Sequence, residues 1–300
     1  MAIMTPYQVD DVRFSALTLL NVELEQVFEG CRWAEGPVWF GDAGHLLWSD
    51  IPNNRMMRFI PNVGTSVFRH EANNSNGNTR DREGRLLSCE HGTRRVTRTE
   101  IDGSITVIAD RFEGKRLNSP NDLVVKRDGS IWFTDPTYGI LSDYEGYAAE
   151  PEQPVRGVYR VDGASGAITR VIDDFLQPNG LAFSPDERFL YVADSGASHS
   201  PDHPRHIRRF RVEGERLIDD GVHCRIDVGI PDGIRVDTKG HLWSSAADGV
   251  HCFAPDGTRL GKIKVPEVVA NLCFGGPKRN RLFIAGTRSL YSIYVNARGC

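Results

Sequence analysis

The 300-residue sequence has no apolar run approaching the ~20 residues of a membrane span, and its first twenty residues, MAIMTPYQVDDVRFSALTLL, carry acids where a secretory leader needs an apolar core. These two absences imply a cytoplasmic protein with no membrane partner. It also lacks any excess of basic charge: 36 Lys and Arg stand against 40 Asp and Glu, a net charge of −4, which gives no electrostatic reason to expect nucleic acid. The one dense basic stretch, RHIRRFRV at 205–212, reads as a strand with a solvated charged face. The six cysteines, at 31, 89, 224, 252, 273 and 300, show no CxxC spacing, so they are expected reduced and mostly buried in strands. No G-x-S-x-G, P-loop or dinucleotide fingerprint occurs, and no window sustains a 3.6-residue apolar period. Serine-hydrolase and nucleotide chemistry are thereby unsupported, and helices must be few.

What is present is a repeat. A turn followed by a short apolar run appears six times, as GHLLWSD, GRLLSCE, GSIWFTD, RFLYVAD, GHLWSSA and NRLFIAG, and four copies end in register on Asp50, Glu90, Asp135 and Asp194. Upstream of each copy stands a polar residue at the start of another strand: Glu35, Asn78, Asn121, Asn179, Asp232 and Asn271. The separations of 43, 43, 58, 53 and 39 residues are those of four-stranded propeller blades. Blade three spells out its strands as DLVVKRD, SIWFTD, GVYRVDG and AITRVID between Gly and Asp turns. The last unit stops one strand short at Cys300, and VELEQVF at 22–28 can supply the missing strand. The expected fold is therefore an all-β, six-bladed β-propeller over residues 1–300, a single domain with four antiparallel strands per blade, its ring closed by an N-terminal strand.

Inner strands of a propeller start around the axis on one face, so the six polar residues should converge there. The second strands return Asp50, Glu90, Asp135 and Asp194 to the same face, where Asp135 and Asp194 could orient the ring amides or merely bond turns. The two longest insertions, after Asp135 and after Asp194, fall on that face too and suggest a partial lid. Glu35, Asn121, Asn179 and Asp232 offer two carboxylates and two amide oxygens, a hard donor set that suits Ca²⁺ first, with Mg²⁺, Mn²⁺ or Zn²⁺ as alternatives. The competing reading of each is a turn cap. His91, beside Glu90, is a candidate to contact substrate hydroxyls or assist proton transfer, against the plainer reading of a solvated or turn-stabilising histidine. Tyr138 and Tyr144 are candidates to stack on a ring. His199, His203 and His206 read as a polar lid rather than a zinc site.

The motifs AEGPVWFGDAGHLLWSDI, SPNDLVVKRDGSIWFTDPTYG, QPNGLAFSPDERFLYVADS, IPDGIRVDTKGHLW and NLCFGG, spanning about 33–287, resemble the gluconolactonase and regucalcin (senescence marker protein) family of six-bladed propellers. The resemblance implies a divalent cation in the central channel and hydrolysis of a small sugar lactone. It implies Glu35, Asn179 and Asp232 as ligands, Asp232 also as catalytic acid/base, and Asn121 as a residue touching metal or substrate. Ser119 and Pro120 depart from the basic and aromatic residues that regucalcin-like members carry before the third-blade Asn. The motifs also resemble calcium-dependent phosphotriesterase and paraoxonase propellers, and a non-catalytic ligand-binding propeller is the rival from another class. Monomer and homodimer both fit the sequence.

Overall fold

The computed structural model describes residues 5–300, and in it six antiparallel four-stranded sheets stand around one axis. The inner strands are Ala34–Phe40, Ser75–Arg80, Leu123–Val125, Pro178–Phe183, Ile234–Val236 and Val269–Gly275. Each is followed outward by its next three strands in chain order, except in blade six, where the outermost strand is Glu25–Glu29 paired on Ser289–Tyr294. The N-terminal closure expected at about 22–28 is thus made by Glu25–Glu29, which starts three residues later and ends one later.

Six apolar clusters fill the six gaps between neighbouring blades. Trp132 and Val158 of blade three meet Leu190 and Phe210 of blade four, for example, and Trp48 of blade one meets Phe283 and Leu290 of blade six. Because each sheet is covered on both faces, its second strand is buried at nearly every position, as in Leu242–Ala246. That is why these runs read as continuous apolar stretches rather than strict alternations. Before the closing strand the chain adds a fifth strand, Tyr7–Val9, to blade five and a 3₁₀ turn, Val12–Leu17, whose buried Phe14 packs on Trp243. The basic stretch lies in strand His206–Glu213, with Arg208 on Asp174 and Asp219 and Arg209 on Asp220. Five cysteines are buried, Cys300 is exposed, and all are free thiols.

Neighbouring inner strands are joined by backbone bonds near the axis. Gly77 N–H donates to the Asn121 carbonyl at 2.8 Å, Gly180 N–H to that of Asp232 at 3.1 Å and Gly233 N–H to that of Ala270 at 2.8 Å. A Cβ on Gly180 would sit 2.2 Å from the Asp232 carbonyl oxygen, and one on Gly77 would sit 2.4 Å from that of Asn121. Glycine is required there by the close approach. Gly180→Ala is expected to destabilise the fold by about 1–3 kcal/mol through overpacking, measured by urea unfolding; an unchanged midpoint would refute the tight joint.

Candidate active site

Strand register places the ring residues. Ala34, Ser75 and Pro178 pair with Asp50, Glu90 and Asp194, so Glu35, Asn76 and Asn179 occupy one equivalent position. Counting down from the paired residues of the other blades adds Asn121, Asp232 and Ala270. Two expectations are corrected here: the blade-two ring residue is Asn76, not Asn78, and Asn271 lies one residue lower than the ring. Bulges beside the ring residue in blades one, two, four and six hide this register from a count along the sequence.

Three of the four acids in register share one task. Asp50 accepts from the backbone N–H of Arg32 at 2.9 Å, Asp135 from Asn118 at 2.8 Å, and Asp194 from Leu176 at 3.1 Å and Gln177 at 3.0 Å. Each carboxylate clamps the segment two or three residues before a ring residue and so sets its approach to the axis. Glu90 instead pairs with Arg95 at 2.7 Å and accepts from Thr97 at 3.0 Å.

Below the ring, four of six second-level positions are glycine, and the remaining two, Asp122 and Asn271, fill the axis with side chains. Asn271 Nδ2 donates to Glu35 Oε2 at 2.9 Å and lies 3.4 Å from Asp122 Oδ2, which Arg235 Nη1 meets from below at 3.3 Å. These groups form a floor. Under it, on the opposite face, a cavity of about 660 Å³ opens, with Arg235 in its lining.

Above the floor the ring is strongly acidic. Glu35 is 2 % exposed and accepts from Gly36 N–H at 2.6 Å. Burial, and then the neighbouring Asp122 carboxylate, push its pKa up. Asp232 keeps part of its surface open to the mouth, yet its pKa is also pushed well up, by desolvation and then by Glu35 and Glu145. The Asn179 amide lies against the Asp232 carboxylate, and its buried Oδ1 has no hydrogen-bond partner among the described residues. The amide of Asn121, 5 % exposed, makes no hydrogen bond among the described residues.

Among the described residues no three His, Cys, Asp or Glu side chains converge closely enough to hold a metal ion by themselves. A cation here needs the two amides as well. The orphaned Asn179 oxygen and the excess of carboxylates fit a hard dication, which would supply the missing partner and relieve the repulsion.

The insertion at 136–155 covers the mouth. It brings in Glu145, which sequence inspection missed: one acid among several in a loop carries no signal until the loop is folded. Its carboxylate makes no hydrogen bond among the described residues, and burial raises its pKa to about 7. His91 is fully buried and points both ring nitrogens at protein groups, Nε2 at the Asn76 amide and Nδ1 at the Glu145 carbonyl, each 3.2 Å away. It therefore stands behind the ring rather than at a substrate surface. Tyr138 ties the two lid loops together, its hydroxyl 2.8 Å from Ser198 Oγ and its ring 5.7 Å from that of His199, while Tyr144 is exposed. His199 Nε2 meets Gln177 Nε2 at 3.1 Å, in keeping with a polar lid.

Residues 33–288 match the family profile described as SMP-30/Gluconolactonase/LRE-like region. The chain is 31 % identical to a gluconolactonase of Zymomonas mobilis, across 96 % of this chain and 85 % of that one. It is also 31 % identical to the pentonolactonase XacC of Haloferax volcanii, across 85 % and 81 %. A solved structure from Xanthomonas campestris, described as a gluconolactonase, superposes with a TM-score of 0.91 at 36 % identity over 97 % of this chain and 94 % of that one.

Asp135 is 0 % exposed and burial raises its pKa to about 7. A carboxyl that holds its proton longer folded than unfolded stabilises most below the unfolded pKa and loses that contribution as pH rises through the folded value. With a chelator present, stability should therefore fall from pH 5 to 7.5, by up to about 1.4 kcal/mol per pH unit for each such group. Urea midpoints across that range check it, and Asp135→Asn should flatten the slope.

Proposed function

The chain belongs to the SMP-30/gluconolactonase/LRE-like family, and on that basis we propose that it opens sugar lactones by hydrolysis with the help of a divalent cation. The observation that carries this reading is the buried ring of two carboxylates and two amides, with an orphaned Asn179 oxygen, beneath a two-loop lid. The relatives named for gluconolactone and pentonolactone hydrolysis support the substrate class.

Glu35, Asn121, Asn179 and Asp232 would hold the cation, with Ca²⁺ the first choice because every donor is a hard oxygen and two are charged. Once bound, the cation would polarise the lactone carbonyl and stabilise the developing oxyanion. The remaining work falls to side chains. Asn271 and the Gly36 N–H fix Glu35, so that one ring carboxylate keeps its direction. Ser245 Oγ accepts from the Asp232 backbone N–H at 2.8 Å and fixes the strand that carries it. Asp232, on the more open side of the ring and beside Glu145, would take a proton from the attacking water. The lid loops, joined at Tyr138 and Ser198, restrict solvent above the reacting carbonyl.

Acid release from δ-gluconolactone should be abolished by chelator and restored by Ca²⁺. Asp232→Asn should keep an oxygen at that place yet lower kcat by about a hundredfold or more; a near wild-type rate with cation still bound would remove the proton-transfer role. Asn179→Ala should weaken cation binding about tenfold or more, measured by calorimetry, while leaving the unfolding free energy of the chelated protein within about 1 kcal/mol. Cation binding without turnover of any lactone would favour a binding propeller instead.

A further inference from the structure

Asn76 is the one polar ring residue with no part in the chemistry above. It holds in blade two the place that Glu35 and Asn179 hold in blades one and four, is 4 % exposed, and its Oδ1 has no hydrogen-bond partner among the described residues. Its other amide atom, Nδ2, lies 3.2 Å from His91 Nε2.

The protons in this chain of contacts can be placed by elimination. The Glu145 carbonyl can only accept, so the His91 Nδ1 that faces it at 3.2 Å carries the hydrogen. In a neutral imidazole the other nitrogen is then an acceptor, and it must take its hydrogen from the Asn76 amide. Burial keeps the ring neutral by lowering its pKa to about 4. The amide of Asn76 is thereby oriented through His91 by the lid itself: NH₂ toward the histidine, oxygen away from it.

A buried amide oxygen without a partner costs about 1–3 kcal/mol, and what it lacks is a donor. We propose that Asn76 is a specificity residue, whose Oδ1 accepts a hydrogen bond from a hydroxyl of a polyhydroxylated lactone, with His91 and the Glu145 carbonyl as positioning groups. The proposal rests on the lactonase reading and sharpens it. The four cation donors proposed above do not include Asn76, and its side-chain contact is a neutral imidazole rather than a carboxylate, so a neutral hydroxyl suits it. A ring position built to accept from a hydroxyl discriminates against a substrate that lacks one, because the acceptor is then left unpaired beneath the bound ligand. His91 gains a reason for its complete burial, as the link through which lid closure and hydroxyl recognition are tied together.

The test compares δ-gluconolactone with δ-valerolactone, the same six-membered ring without hydroxyls, on the full-length Ca²⁺-loaded protein, with the Ca²⁺ affinity measured separately by calorimetry. Asn76→Ala should lose about 10–100-fold in kcat/KM on the hydroxylated lactone and about threefold or less on δ-valerolactone, with the Ca²⁺ affinity within about twofold of wild type. Asn76→Ser, which keeps a hydroxyl toward His91 and withdraws the oxygen from the channel, carries the same comparison if the alanine variant does not fold. His91→Leu should shift the same ratio in the same direction by a smaller factor. Equal losses on both lactones, a wild-type rate on δ-gluconolactone, or a tenfold loss of Ca²⁺ affinity each overturn the proposal, the last by making Asn76 a cation ligand. A wild-type protein inactive on both lactones overturns the lactonase reading and this proposal together, and the wild-type control tells that case apart.

Discussion

Everything at the axis follows from how closely the inner strands approach one another. Backbone N–H groups of Gly77, Gly180 and Gly233 reach the carbonyls of the next blade's ring residue at about hydrogen-bond distance, and a Cβ at any of the three would collide. The level beneath the ring is therefore glycine wherever backbones touch. Where it is not, at Asp122 and Asn271, the side chains have only the axis to occupy. The same constraint that closes the ring thus builds a floor under it, and the floor is what supports Glu35.

That floor also fixes the electrostatics. Glu35, Asp232, Asp122 and Glu145 act on one another, while among the described residues the one basic side chain paired with any of them is Arg235, reaching Asp122 from the far side. A protein that buries this much like charge carries a standing energetic cost, relieved in the proposed function by a dication. The lid contributes to the cost as well as to the chemistry, since Glu145 arrives on it. Buried charge and cover over the ring are consequently brought by the same loop.

The architecture was legible in the sequence because a propeller repeats its instructions. Six copies of one turn and strand, with Asp50, Glu90, Asp135 and Asp194 in register, suffice for blade number and for which face carries the site. Ring residues in blades one, three, four and five were legible for the same reason. Blades two and six were not: SNGN offers two asparagines, so Asn78 stood in for Asn76, and blade six has the apolar Ala270 at the ring level, so the polar Asn271 beside it was raised by one level. Asp122 had a signal, as the one acid directly after a ring residue where four blades carry glycine, but its meaning needs the close approach of strands. Glu145 and the inward burial of His91 had none, because an irregular 20-residue loop has no period to read.

The floor joins blade three to blade six, which face each other across the axis, and blade six is completed only when Glu25–Glu29 pairs on the last strand. The contact that orients Glu35 thus spans 236 residues of sequence, among the longest loops this chain can close. A partly folded chain with five blades in place has no Asn271 to direct that carboxylate. An incomplete ring therefore lacks the contact that directs Glu35, and is an incompetent one by construction.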